Sequence, residues 1–468
     1  MNLPVFSSGA ARRAWTLAAV AALPLLLAAC GGSDTTPPDS GTLSAAAQLG
    51  QKIFADKALS ASGQQSCSSC HVAASAFAED ATASGVDHGS PVPLGGLAMN
   101  LTGFRNTPSL MYAALTPAFS VGSDGGPVGG FFRDGRAKTL ADQAVLPFTT
   151  SFEMANADAA AVVTLLKTRP YLADFAALYG SAVLDDPATA LARMGQALAA
   201  FETEDPGFAP FSSKYDYFLK GQATLTAQEQ RGLGLFNDAT KGNCGACHPS
   251  TSADGKTPPM FTDYSYDNLG VPRNGLIPAN GPSAPSYTPA NSTDGVQTYY
   301  DLGVCGPFRE QALNFFSICG KFKVPTLRNI AATAPYFHNG RFTTLVDAIG
   351  FYVRRDTNPE EWYPANPDGT VTKFDDLPAV YGGQFVVTPG VVGSDAGYLG
   401  NVNTSEIPYN RHIGDTPALS ASEIDDVITF LCTLTDGYEP ANPTAQVLPA
   451  QCQAAASAAA TSRNSMSR

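Results

Sequence analysis

Charge is sparse in this 468-residue sequence, and positive charge is the scarcer. Asp, Glu, Lys and Arg make up 15% of residues, with 28 basic against 41 acidic and a formal net charge of −13 at pH 7. That balance argues against nucleic acid and anionic lipid as partners. Strand signals are few; Gln384 to Val387 and Val391–Val392 are the best, reading as a small hairpin or loop. The one pronounced apolar run, Ala14 to Ala29, is too short and too rich in small residues for a permanent membrane span. Only two tryptophans and five histidines occur.

Two of those histidines close a repeated pentapeptide, Cys67–Ser68–Ser69–Cys70–His71 and Cys244–Gly245–Ala246–Cys247–His248. In Cys-x-x-Cys-His two thiols add to the vinyl groups of a haem and the next imidazole ligates its iron. Neither motif has a nearby His-x-x-x-His or second Cys pair, as zinc would need. A thioredoxin-like reading lacks its strand-then-helix context. The sequence predicts two covalently bound haem c groups.

Arg12 and Arg13 precede the apolar run, which ends in Leu27–Ala28–Ala29–Cys30. This resembles a bacterial lipobox, with Cys30 lipidated; the alternative is an ordinary secretory signal cut at Ala29. Residues 1–29 therefore read as a signal peptide and 30–44 as a flexible tether, which places the protein in the periplasm, held to a membrane only by its lipid. Cys305, Cys319, Cys432 and Cys452 then remain. An even remainder in an oxidising compartment suggests two disulfides. Proximity favours Cys305–Cys319 and Cys432–Cys452 among three connectivities, with buried reduced thiols as the alternative.

The expected fold is mainly α, two cytochrome c-like haem domains with long ordered loops and little strand. Gly50–Gln51–Lys52–Ile53–Phe54 before the first haem motif is echoed by Gly232–Leu233–Gly234–Leu235–Phe236 before the second. Each reads as the end of an amphipathic helix over a haem edge. Capping boxes at Thr226–Glu229 and Ser420–Glu423 open helices, the latter with Ile424, Val427, Ile428 and Leu431 on one face. Ala159 to Leu166 and Ala188 to Phe201 also read as helices. The boundaries predicted are 45–221 for an N-terminal domain, 222–440 for a C-terminal domain and 441–468 for a largely disordered tail.

Further blocks resemble the bacterial di-haem cytochrome c peroxidase and MauG superfamily: Arg105–Asn106–Thr107–Pro108–Ser109–Leu110, Phe131–Phe132–Arg133–Asp134–Gly135–Arg136–Ala137, Ser151–Phe152–Glu153–Met154, Pro325–Thr326–Leu327–Arg328–Asn329 and Ala334–Pro335–Tyr336–Phe337–His338–Asn339–Gly340. The resemblance implies hydrogen peroxide chemistry at the N-terminal haem, with Glu153 as distal acid/base and Gln143 and Phe132 completing the pocket. It implies a second haem whose ligand position, fourteen residues after His338, is Tyr352, as in MauG; Met260 is the rival ligand. It places His338 between the haems and calcium on Asn106, Thr333 and Pro335. The family's inter-haem tryptophan is replaced by Arg133, which could instead pair with haem propionates. His88, seventeen residues after His71, is either a resting-state ligand of the first haem or an ordinary loop histidine. His412 reads as a surface or packing residue. The resemblance leaves three functions open: a peroxidase drawing electrons from a small cytochrome c or cupredoxin, a MauG-like oxidase of a protein or small molecule, and a non-catalytic carrier or sensor.

Overall fold

The computed structural model describes residues 42–79, 91–123, 125–281, 283–289, 299–309 and 316–453. Cys30, the signal region, the tether up to residue 41, His88 and residues 454–468 lie outside the described residues. Ten α-helices and four two-stranded antiparallel ladders are joined by long loops among them. The protein is mainly helical, as its sequence predicts.

Two cores dominate. The first draws on residues between Ala47 and Phe208, the second on residues between Tyr215 and Cys452. Core membership therefore changes just before Lys220 to Ala223. In the first, α1 (Ala45–Ala55) crosses α6 (Pro187–Glu204), with α3 (Leu140–Thr149), α4 (Ala159–Leu166) and α5 (Leu172–Tyr179) around it. The Cys67–Cys70 turn is itself a short helix, α2. In the second, α7 (Lys214–Leu219) leads to α8 (Ala227–Asn237), which crosses α10 (Ala421–Cys432); α9 (Leu345–Arg354) packs beside α10.

The repeated glycine has a packing reason. A Cβ on Gly50 would collide with the Ala197 carbonyl on α6, and one on Gly232 with the Asp426 carbonyl on α10. Four residues on, Phe54 and Phe236 fall on the same helix face. Phe54 meets Phe201 edge-on at 5.5 Å, and Phe236 meets Phe430 at 5.3 Å. Each pair of helices crosses backbone to backbone and then closes on an aromatic contact.

The ladders are short: β1 (Leu94–Gly95) with β2 (Leu101–Thr102), β3 (Ser120–Val121) with β4 (Pro127–Val128), β5 (Tyr266–Asp267) with β6 (Phe322–Lys323), and β7 (Val371–Lys373) with β8 (Phe385–Val387). Of the hairpin or loop expected at Gln384–Val387 and Val391–Val392, the first segment is a strand and the second a loop, so a hairpin between them is not formed. The partner of Phe385–Val387 is Val371–Lys373, while Val391 and Val392 are turn residues exposed to solvent. The first part of the tail also departs from expectation. Cys452 is buried and bonded to Cys432. Gln451 accepts from the Leu345 amide at 2.6 Å and donates to the Tyr336 hydroxyl at 2.7 Å, tying this segment to the start of α9. Cys305 pairs with Cys319, their Cα atoms 5.1 Å apart.

Candidate active site

One continuous cavity of about 510 Å³ runs through both halves and is lined by both Cys-x-x-Cys-His motifs. Ser66 caps α2, and the turn of helix sets Cys67 and Cys70 on the cavity wall with His71 directly after. The two histidines are held alike. His71 Nδ1 lies 2.9 Å from the Phe77 carbonyl and His248 Nδ1 lies 2.8 Å from the Phe261 carbonyl. Both phenylalanines have left-handed backbones, φ +52° in each case. With Nδ1–H donating to a carbonyl, the Nε2 lone pair is left for a metal, the usual orientation of a ligating imidazole. Burial lowers the pKa of His71 to about 4 and lowers that of His248, so both are neutral and able to ligate. These donor sets fit two covalently held haems.

Near the first motif, Gln143 on α3 and Glu153 in the turn after it line the same cavity. The turn is fixed from both sides. Asn156 Nδ2 donates to the Leu59 and Phe148 carbonyls at 2.9 Å each, and the Gly96 amide donates to the Glu153 carbonyl at 2.8 Å. Burial raises the pKa of the Glu153 carboxyl, against the pull of Arg136 and of a hydrogen bond from Thr150. Phe132 adopts φ +61° and lies under the Arg136 guanidinium, 3.5 Å from its ring centre. Arg136 is held in turn by Asp134, which also accepts from Arg105 at 2.9 Å. Arg105 completes the chain with a bidentate pair to Asp301 at 2.6 and 2.7 Å. This part of the wall is thus a carboxyl and an amide backed by a buried ionic network.

Around the second motif, Tyr352 and Met260 both line the cavity. Tyr352 projects from α9; its ring lies 5.5 Å from that of Phe337 and 5.9 Å from that of Tyr409. Burial strongly raises the pKa of the Tyr352 phenol, so a phenolate there requires a cation facing it. His338 is buried and stacks on Phe322, ring centres 3.8 Å apart, while its Nε2 stands 3.7 Å from Asp376. Its carbonyl accepts from the Asn106 amide at 3.0 Å.

The calcium set implied by the resemblance is a poor fit. The Asn106 Oδ1 that would ligate the ion accepts from Arg133 Nη2, and Asn106 Nδ2 donates to the Pro335 carbonyl at 2.6 Å. Thr333 lines the cavity. His412 is an exposed side chain, 3.1 Å from Asp395.

Sequence reasoning missed Glu202. It lies on the buried face of α6 with Met194, Leu198 and Phe201, and lines the cavity. Its Oε2 has no hydrogen-bond partner, and burial raises its pKa to about 8. A carboxylate within an apolar helical stripe was the available signal. Asp301 gave none, being 196 residues from Arg105. Tyr409, buried beside Tyr352, was missed for the same reason.

Fold and site together define a two-centre c-type haem protein. The sequence profile described as di-haem cytochrome c peroxidase matches residues 44–224. The chain is 34% identical to the methylamine utilization protein MauG of Paracoccus denitrificans, over 91% of this chain and 96% of that one. It is 27% identical to the cytochrome c551 peroxidase of Pseudomonas aeruginosa over 64% of this chain and 70% of that one. The diheme peroxidase BthA of Burkholderia thailandensis superposes with a TM-score of 0.69 at 36% identity, covering 84% of this chain and 86% of that one. The chain belongs to the di-haem cytochrome c peroxidase and MauG family and is an oxidoreductase.

Proposed function

We propose that this protein reacts with hydrogen peroxide at its N-terminal haem, held by Cys67, Cys70 and His71, and shares oxidising equivalents with a C-terminal haem held by Cys244, Cys247 and His248 and capped by Tyr352. The observation that carries the reading is Glu153, a carboxyl of raised pKa in the cavity of the first haem motif. The bound haems would supply the redox chemistry, and the side chains manage binding and protons. Glu153 takes the proton from the near oxygen of peroxide and returns it to the departing oxygen, which leaves as water. Gln143 orients the peroxide by hydrogen bonding. Phe132, clamped under Arg136, narrows the pocket, and the Asp134–Arg105–Asp301 network holds Arg136 in place. General acid–base help of this kind is worth ~10²–10⁴-fold in rate. Glu153→Gln is therefore expected to keep both haems and lose peroxide turnover by a factor in that range, read by steady-state peroxide consumption. Full activity in the variant would refute the assignment.

A second reading, oxidation of a protein or small molecule by the same pair of centres, is favoured by Tyr352. A phenol oxygen is a hard ligand that stabilises oxidised iron. The similarity to MauG of Paracoccus denitrificans supports it as well. Tyr352→Met should raise the potential of the second centre, measured by spectroelectrochemistry. The compartment is the periplasm, with Cys30 as lipid anchor and a small cytochrome c or cupredoxin as donor, attracted by the acidic surface. No helix among the described residues is long and apolar enough to cross a membrane.

A further inference from the structure

We propose that the guanidinium of Arg133 is the resident cation at Asn106, in the place the family resemblance assigns to calcium, and that this chain binds no calcium there. The inference deepens the proposed function, since it rests on both haems flanking this region.

Arg133 stands where the resemblance expects an indole. Its Nη2 donates to Asn106 Oδ1 and its Nε to the Asn106 carbonyl at 3.3 Å, so one side chain spans both oxygens of that residue. Asn106 is itself buried and cannot rotate to offer its amide oxygen elsewhere without breaking the hydrogen bond from Nδ2 to Pro335. The Pro335 carbonyl, a second expected ligand, is thereby already accepting. Calcium asks for six to eight oxygens at about 2.3–2.6 Å; the two Asn106 oxygens and the Pro335 carbonyl face N–H donors instead. Local charge points the same way. Lys323 donates to the Gly130 carbonyl close by, and its amide donates to the Arg133 carbonyl at 2.8 Å. The nearby carboxylates, Asp134 and Asp301, are both engaged by Arg105. A divalent ion would add charge beside Arg133 and Lys323 with no free carboxylate to offset it. A guanidinium is planar and bridges the two oxygens, and it keeps its charge near neutrality although burial and the neighbouring Arg105 lower its pKa to about 9. Unlike a metal it cannot be lost to a chelator. A fixed positive charge beside a haem also favours its reduced form.

The test uses the full-length protein with both haems. After dialysis against EGTA, calcium is counted by plasma mass spectrometry, and Soret and paramagnetic resonance spectra are recorded with and without added calcium. The expected result is calcium well below one per chain and spectra that neither chelator nor calcium changes. Arg133→Gln should lower the midpoint potential of at least one haem, and Arg133→Lys should restore most of it. One tightly held calcium per chain, or a spectrum changed by its removal, overturns the inference; so does Arg133→Gln with unaltered potentials. If Arg133→Gln fails to take up haem, the calcium count on the unaltered protein decides alone. Haem content and peroxide turnover measured on the same sample keep the two readings apart. Absence of both calcium and turnover would leave this inference standing and overturn the proposed function.

Discussion

Glu153 and Glu202 are both carboxyls on the cavity wall, the first half-buried and the second buried, and they differ in what holds them. Glu153 has Arg136 and Thr150 near it, which offset part of its burial. Glu202 has burial alone, and its pKa rises to about 8 from an ordinary 4.5. For Glu153 the consequence is kinetic. In the role proposed for it, it must be ionised to accept the first proton, so peroxide turnover should increase as pH rises through its elevated pKa. In Glu153→Gln this limb of the pH–rate profile should vanish. For Glu202 the consequence is stability. Between 4.5 and about 8 the folded protein holds a proton that the unfolded chain releases. Stability from this group is therefore complete below the unfolded value and lost as pH rises through the folded one. Glu202→Gln cannot ionise, so its melting temperature relative to the unaltered protein should climb across that window; a pH-independent difference would refute the assignment. The two Cys-x-x-Cys-His motifs were legible because covalent haem attachment demands a fixed local spelling. The ionic network was not, since Arg105, Asp134 and Asp301 meet only in three dimensions.

Helices were the most legible elements. Ala159–Leu166 and the boxes at Thr226 and Ser420 follow from caps and periodicity that act within one turn. The strand pairing was not legible, because Val371–Lys373 meets Phe385–Val387 across an intervening loop whose course no local signal sets. The glycine repeat was visible, though its meaning needed the crossing helices. Gly50→Ala and Gly232→Ala should each destabilise by about 1–3 kcal/mol, the usual cost of overpacking. Gly234 has open space around a would-be Cβ. Gly234→Ala should therefore be neutral or gain up to about 1 kcal/mol from helix propensity. Chemical denaturation of the three variants separates them, and equal losses would refute the packing account.

At the scale of the whole molecule, duplication organises the chain. Each half crosses two helices at a glycine, closes on an aromatic pair and hydrogen-bonds its haem-motif histidine to a left-handed phenylalanine. The second half carries in addition the segment ending at Cys452. Cys452→Ser should release that segment and cost about 2–4 kcal/mol, as closing a loop of this length usually contributes. Alkylation without reductant should label none of Cys305, Cys319, Cys432 and Cys452 in the unaltered protein. The two halves were legible from the paired motifs; their shared cavity was not, because it is assembled from loops far apart in sequence. The central claim is that the iron in the first half has a face free for peroxide beside Glu153, while Tyr352 closes the iron in the second. Electron paramagnetic resonance of the ferric protein, before and after one equivalent of peroxide, tests it most directly. The account predicts a high-spin signal that peroxide removes, alongside a second, six-coordinate centre. Two fully coordinated low-spin centres that ignore peroxide would contradict it.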